Sequence, residues 1–461
     1  MVENHLPPKA NSETAELAFA WCDAQTAADK TVFAKTGKHL SDVEIAVLSA
    51  SWQGKTYDQM AEDYGYSAEY LNKDIGNKLW KKLSQALDER VTKRNFREAL
   101  RRAHAESEEE IQATASPAGI ALSLPFPEGA VALRSPFYIS RTGVETRCYQ
   151  TVAQPGALIR IKASKLMGKT SLMNRVLAEA EAQVGQTVYL DLGNCTHALL
   201  QDLDKFLRRL CAIASRKLNL ENKVTEYWDT DILSSNDNCT AYFEEYLLPA
   251  SEASIILGID DIDRLFPYPE MAEDVLGMLR CWHEKGKVSA LWQRLRLVLA
   301  HSTEVYIPLD INQSPFNAGV PIELKAFERS HLSQLAQQHN LSLSQSQVDA
   351  LMQRIGGHPY LVRLALYALS TSAISLKTLL QQAANESGIY IAQLRRYLEI
   401  IRRSPELATA LQQVVSTSQP VELGSIQTYK LRSMGLIHQS ENQVTASCSL
   451  YQDYFSRVLK E

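Results

Sequence analysis

Five short apolar runs stand out between residues 157 and 324: Ala157–Lys162 (ALIRIK), Thr187–Leu192 (TVYLDL), Ser254–Ile259 (SIILGI), Leu295–Ala300 (LRLVLA) and Val320–Leu324 (VPIEL). Short continuous apolar runs fit strands buried on both faces. Amphipathic stretches such as Leu199–Leu220 separate them, and that alternation predicts an α/β domain built on a parallel sheet. From Glu328 helical periodicity takes over, as in HLSQLAQQ and QVDALMQRI. Pro405–Leu459 pairs helical segments with a short β-like piece, GLIHQSENQVTAS. Ahead of the strands, residues 13 to about 112 are polar and helical in pattern. Residues 113–136, rich in Pro, Gly, Ala and Ser and nearly uncharged, read as a linker, semi-rigid and lying on a neighbouring surface. No repeat of fixed period is visible.

At 461 residues, with 45% hydrophobic and 22% charged positions, the chain is long enough for about three domains and has the balance of a soluble globular protein. No apolar stretch approaches the ~20 residues that span a bilayer, and the polar N-terminus does not read as a secretory signal. The seven cysteines are scattered singly (Cys22, Cys148, Cys195, Cys211, Cys239, Cys281 and Cys448). That pattern points to reduced core thiols in a cytoplasmic protein and away from a disulfide framework or a zinc site. With a formal charge of −5, any nucleic-acid binding must come from a local patch.

The sharpest motif is Ala163-Ser164-Lys165-Leu166-Met167-Gly168-Lys169-Thr170-Ser171, after the first predicted strand and at the start of a helix. In the GxxxxGK[ST] pattern, backbone N–H groups curl around a phosphate at a helix N-terminus. Gly168 permits close backbone approach, Lys169 reaches the phosphates, and Thr170 ligates Mg²⁺. Ala163 stands where the first glycine is usual, and its Cβ narrows the permitted backbone angles. The third apolar run ends in Asp260-Asp261, which predicts Asp260 on the metal side and Asp261 as the group that orients the attacking water. Glutamate is usual at the second position; aspartate is one methylene shorter, so hydrolysis is expected to be slow. The fourth run ends in His301-Ser302-Thr303-Glu304, where Ser302 or Thr303 is expected to sense the γ-phosphate. Gly356-Gly357-His358-Pro359-Tyr360 opens a helix, with Pro359 fitting its first turn; a second reading sets His358 and Pro359 against the adenine.

In the N-terminal block, Ser41 and Glu44 are spaced as a capping box. Tyr57, Met60 and Ala61 form one apolar face, and Tyr70, Leu71, Ile75, Leu79 and Leu83 stripe the next helix, with Gly65 in the turn between. Two short helices joined by such a turn match a helix-turn-helix. Its second helix would expose Ser67, Glu69, Asn72, Lys73 and Asn77. Downstream, Lys78, Lys81, Lys82, Arg90, Lys93, Arg94, Arg97, Arg101 and Arg102 outnumber Asp88, Glu89 and Glu98, a cluster able to neutralise phosphates. Two readings stay open: a duplex-DNA contact within residues 40–102, through Asn72, Lys73, Asn77, Lys78, Lys81 and Lys82, or a protein-binding module with a solvated basic face. Trp52 and Trp80 are read as core.

The run SPFYISRTGVETRCYQTVAQPGALIRIKASKLMGKTSL, with DDIDRLF, HSTEVYIPLDINQSPFN and GGHPYL, resembles the AAA-like domain of the STAND class of signal-transducing P-loop ATPases over roughly residues 135–461. The N-terminal block resembles the helix-turn-helix of vWA-MoxR-associated proteins. These resemblances imply an α/β P-loop core with sheet order 5-1-4-3-2 over 137–325, an all-α lid over 326–404 and a winged helix over 405–461, preceded by the helical domain at 13–112. They further imply that Phe137 and Tyr138 line the base pocket, that ATP and Mg²⁺ are bound, and that the protein works as a nucleotide-driven switch. Such a switch would form nucleotide-dependent homo-oligomers, act through a separate effector protein without touching membrane, and serve in conflict or defence systems. Two other functions stand beside it: an ATP-controlled DNA-binding regulator of transcription or mobile elements, and an interaction scaffold with a vestigial nucleotide site. Arg264, Arg280, Arg294 and Arg296 all lie near strand or helix ends, and none is singled out as an arginine finger.

Overall fold

Strands whose side chains are apolar on both faces need a covering layer on each side, and the second part of the chain supplies both. In a computed structural model of the protein, the structure describes residues 24, 27–29, 31, 32, 35, 40, 42–52, 54–64, 67–103, 124–304, 318–371 and 373–460. Ser41, Gly65 and the stretch from Val305 to Asn317 lie outside the described residues. The chain divides into two compact units, Met1–Leu122 and Ser123–Glu461.

In the second unit all five predicted runs are strands: β1 (Leu158–Ala163), β2 (Gly185–Asp191), β3 (Ser254–Asp260), β4 (Leu295–Ser302) and β5 (Val320–Glu323). They form one parallel sheet ordered β2–β3–β4–β1–β5, the order the resemblance implied. Ile255, Leu257 and Ile259 of β3 join Leu295, Leu297 and Leu299 of β4 in one apolar layer. Ile256, Val298 and Ala300 belong to the opposite layer. The first layer is completed by Phe206 and Leu210 of helix Leu203–Lys217 and by Val275, Leu279 and Trp282 of helix Pro269–Val288. The other is completed by Leu172 and Val176 of helix Lys169–Gln183 and by Cys148 and Val152 of helix Val144–Val152. Each fully buried side chain of this size contributes roughly 1.5–3 kcal/mol, so the sheet is anchored from both sides and its C-terminal edge is held rigidly.

After β5 come the helices Arg329–Gln338, Gln345–Ile355, Pro359–Ser370, Leu376–Gln382 and Ile391–Arg402. Then follow helix Pro405–Val415, strand β6 (Val421–Glu422), helix Ser425–Ser433, strands β7 (Ile437–Ser440) and β8 (Gln443–Ala446), and helix Ser449–Val458. The last three strands make an antiparallel sheet ordered β6–β8–β7. Leu361, Leu394 and Tyr397, from before the expected boundary at 405, share one core with Leu411, Tyr451 and Phe455 from beyond it.

From Leu124 onward, the stretch expected to be a linker lying on a neighbouring surface belongs to the second unit and is held on helix Lys169–Gln183. The guanidinium of Arg175 donates to the carbonyls of Val131 at 3.0 Å and Ala132 at 2.7 Å, and Val131 N–H donates to Ser171 Oγ at 2.8 Å. Its low charge and proline content suit a turn-containing strap, with the backbone groups of Val131 and Ala132 satisfied by the helix beneath.

In the first unit the helices include Asp42–Trp52, Tyr57–Tyr64 and Asn77–Ala86, with a π-helical stretch Tyr70–Gly76 leading into the last, and residues 96–103 are also helical. Leu48, Met60, Leu71, Leu79, Leu83 and Phe96 form the core, whereas Tyr70, expected on the apolar stripe, is exposed. Thr56 and Gln59 form a capping box: Thr56 N–H donates to Gln59 Oε1 at 2.9 Å and Gln59 N–H to Thr56 Oγ1 at 3.3 Å. Glu44 accepts from Lys82 Nζ at 2.5 Å, and its expected capping box with Ser41 lies outside the described residues. Trp52 and Trp80 pack on Phe96 with ring centroids 6.1 and 5.3 Å away. Gly76 allows close approach, since a Cβ there would lie 2.4 Å from the Tyr57 hydroxyl.

Candidate functional site

β1 ends at Ala163 and helix Lys169–Gln183 begins five residues after Ser164, so the loop must reverse within a few residues and present its amides to the helix N-terminus. It does so through two left-handed residues, Leu166 at φ 62° and Gly168 at φ 95°. A left-handed non-glycine such as Leu166 is a strained conformation that packing has to maintain. Ala163 is not left-handed and ends the strand with its methyl buried in the apolar layer. Its Cβ therefore costs nothing where the usual glycine would stand.

Lys169 is buried, and its ammonium donates to the carbonyls of Ala163 at 3.3 Å and Ser164 at 3.0 Å. Burial pushes its pKa down, while the carboxylates of Asp263, Asp261, Glu304 and Asp260 act in the opposite direction. Across the loop, Asp260 at the end of β3 is 2% exposed. Burial pushes its carboxyl up, opposed by a hydrogen bond from the Thr170 hydroxyl and by that of Tyr189, whose Oη donates at 3.2 Å. Asp261 follows with φ 51°, its side chain lining the same cavity as Lys165, Gly168, Lys169 and Thr170.

That cavity measures about 540 Å³, within the usual range for small-molecule sites. Phe137, Tyr138 and Pro359 line it. Phe137 lies between the His339 ring, 4.6 Å away between centroids, and the Arg363 guanidinium at 5.4 Å. Tyr138 carries Arg175 over its face at 3.5 Å and donates its hydroxyl to Glu145 at 2.7 Å. Arg141, which the sequence did not single out, is buried and donates to the Met167 carbonyl at 2.7 Å from inside the loop. The strap residues Pro127, Gly129 and Val131 close another side.

His358 departs from the expectation. It faces a second cavity, of about 720 Å³, on the other flank of the loop, together with Ala163, Ser164, Ser302 and Thr303. Met167 borders both cavities, and Leu166 and Ser171 line the first. His358 is 8% exposed and burial holds its pKa down at about 4. Ser302 and Thr303 are also engaged structurally. Ser302 N–H donates to Asp263 Oδ1 at 2.7 Å, and Thr303 Oγ1 donates to the Ser433 carbonyl at 2.8 Å. Asp263 is a site-forming residue that its sequence context, one more carboxylate after Asp260-Asp261, marked only weakly. Arg264, Arg294 and Arg296 are held on backbone carbonyls of their own chain.

Of the helix-turn-helix candidates, Asn72, Lys73, Asn77, Lys78 and Lys81 are exposed, and Lys82 is half-buried. Lys73 pairs with Glu69 at 2.6 Å and Lys82 with the largely buried Glu44. Among the described residues no group of three or more His, Cys, Asp or Glu could hold a metal ion by itself, and no helix is long and apolar enough to cross a membrane.

A parallel sheet with this loop between β1 and its helix, and acidic residues at the end of β3, defines a P-loop nucleotide-binding protein. The chain belongs to the AAA-like domain family, whose sequence model matches residues 126–457. Residues 19–103 match the model of the vWA-MoxR associated protein N-terminal HTH. Among curated proteins none matches. Solved structures similar to the chain include a Walker-type ATPase of Pyrococcus abyssi, 13% identical with a TM-score of 0.49, covering 68% of this chain and 95% of that one. The ORC2 protein of Aeropyrum pernix is 15% identical with a TM-score of 0.43, over 71% of this chain and 98% of that one. A STAND protein with a tetratricopeptide repeat sensor from Pyrococcus horikoshii is 14% identical with a TM-score of 0.35, over 73% of this chain and 44% of that one.

Proposed function

We propose that the protein is an ATP-binding regulatory switch of the STAND class, in which nucleotide state sets assembly and partner or DNA binding, in a conflict or defence setting. The observation that carries this reading is the meeting of the buried Lys169, held on the carbonyls of Ala163 and Ser164, with Thr170 and Asp261 on one cavity at the start of helix Lys169–Gln183, where the buried Asp260 ends β3. The Thr170 hydroxyl and the Asp260 carboxylate are hard oxygen donors, the set that suits Mg²⁺, and they accompany an ammonium and a helix N-terminus that suit phosphate. The residues therefore fit a Mg²⁺-bound nucleoside triphosphate. Thr170 and Asp260 would hold the ion, which when bound neutralises phosphate charge. The loop amides and Lys169 would bind the phosphates, Phe137 and Tyr138 the base, and Asp261 would orient water.

Hydrolysis is proposed to be slow because Asp261 has a short side chain on a left-handed backbone, which restricts how far its carboxylate can be advanced. A turnover number above ~10 s⁻¹, the enzyme median, would contradict this. The segment over 405–461 is proposed to be a winged helix, supported by its helix–strand–helix–hairpin order, and 326–404 a lid. Titration of the full chain with Mg·ATP by calorimetry, and size analysis with ATP, ADP and a non-hydrolysable analogue, test the switch. Binding that is lost in Lys169→Ala, with assemblies that change with nucleotide, is the expected result. Unchanged retention and size in that variant would favour a scaffold.

A second reading, DNA binding through the first unit, is favoured by the exposed polar and basic residues Asn72, Asn77, Lys78 and Lys81 on Tyr70–Gly76 and the helix that follows it. Salt-sensitive binding of duplex DNA by the full chain is its test.

A further inference from the structure

The Glu304 side chain is 5% exposed, although it is a carboxylate just beyond the end of β4. Burying such a group is costly unless it is paired and hydrogen-bonded, and its partners come from two places. Its Oε1 accepts the backbone N–H of Lys165, in the phosphate loop, at 2.8 Å. Its two oxygens also accept both terminal nitrogens of Arg396, on helix Ile391–Arg402, at 3.0 and 3.2 Å. Arg396 itself lines the cavity that contains the loop. Glu304 also acts electrostatically on Lys169. One intramolecular carboxylate thus takes an amide of the phosphate loop and a guanidinium at the cavity wall, the two kinds of donor that an incoming phosphate would use.

We infer that Glu304 is a specificity-determining residue of the nucleotide site, an internal anion that biases the resting chain towards nucleoside diphosphate and against triphosphate. The inference rests on the nucleotide-binding reading above. A diphosphate gripped by Lys169 and the helix N-terminus would leave the Lys165 amide and Arg396 with Glu304. A third phosphate brings further negative charge to a site where a carboxylate is already buried, and like charges close together in a protected site repel strongly. Triphosphate is accommodated when Glu304 releases Lys165 N–H and Arg396, and the released guanidinium is then available to the new phosphate. Because Arg396 belongs to a helix whose core includes Leu394, Tyr397 and Ile401, the exchange would be felt in the helical segment beyond the sheet.

Two substitutions of the same ion pair separate this from simple pinning of the helix. Glu304→Gln keeps an oxygen for Lys165 N–H and removes the charge. Arg396→Gln removes the counter-charge and leaves the carboxylate. The full chain, the two variants and the double variant would be titrated with Mg·ADP and a Mg-bound non-hydrolysable ATP analogue, with thermal melts reporting that each is folded. Glu304→Gln is expected to raise the triphosphate-to-diphosphate affinity ratio about tenfold, equivalent to about 1.4 kcal/mol. Arg396→Gln is expected to lower it, and the double variant, without the carboxylate but also without the guanidinium, to fall between the two single variants. If both single variants shift the ratio in one direction, or neither shifts it, the pair is a structural tie and the inference is overturned. If the unsubstituted chain binds neither nucleotide, the underlying site assignment fails instead.

Discussion

Asp263 Oδ1 accepts the backbone N–H of Ser302 at 2.7 Å, tying the turn after β3 to the last residue of β4. Both residues are buried, and burial pushes the Asp263 carboxyl up while the Ser302 N–H pulls it back. Asp263→Ala would strand a buried donor, a loss of about 1–3 kcal/mol. Asp263→Asn retains an acceptor and should lose less. Urea unfolding of the two variants checks this; equal losses would mean that the hydrogen bond is not the source.

Asp260 is subject to the same balance, burial pushing its carboxyl up against hydrogen bonds that pull it back. Its raised pKa means that the folded, nucleotide-free chain carries an unfavourable buried charge. Asp260→Asn is therefore expected to raise the melting temperature of the free protein while abolishing the Mg²⁺ enhancement of ATP binding. Melts without nucleotide, and titrations with and without Mg²⁺, report the two effects separately.

His358 makes acid the enemy of the fold. Its pKa falls from 6.5 to about 4 on folding, so between those values the unfolded chain binds the extra proton. Stability from this group is complete above pH 6.5 and is lost as pH falls towards 4, by up to about 3 kcal/mol. His301 shifts in the same direction, to about 3, so the comparison needed is between the unsubstituted chain and His358→Asn. The variant should show a shallower fall in unfolding free energy over that window, and parallel curves would refute the assignment.

In the first unit, Gly76→Ala places a Cβ 2.4 Å from the Tyr57 hydroxyl. Overpacking of this kind costs about 1–3 kcal/mol. Removing the hydroxyl with Tyr57→Phe should recover part of the loss even though it also deletes the 2.9 Å hydrogen bond from Trp80 Nε1. A double-mutant cycle from thermal melts measures the coupling, and strict additivity would show that the contact is not the cause.

For the DNA reading, Lys78→Gln with Lys81→Gln should flatten the dependence of affinity on salt by about two counterions. Lys82→Gln should instead destabilise the unit by breaking its pair with Glu44. Filter binding across a salt series, alongside melts, distinguishes a phosphate contact from a structural ion pair.

The periodicity of the chain was enough to determine the five strands, the phosphate loop and the acidic end of β3, because each is encoded within ten or so neighbouring residues: an apolar run, a turn signal, a helix start. Local sequence also showed that Asp261 departs from the usual glutamate. What it could not determine is which distant groups meet. The pairing of Glu304 with Arg396 spans 92 residues and that of Thr303 with Ser433 spans 130. Neither position differs in type or spacing from any solvated Glu, Arg or Thr. The same holds for the strap at 124–136, whose composition suggests a stretch lying on a neighbouring surface but not that Arg175 gathers its carbonyls, and for His358, which lines the second cavity. Short-range propensity is written in adjacent residues; partners for buried charge are chosen only when packing removes water from them.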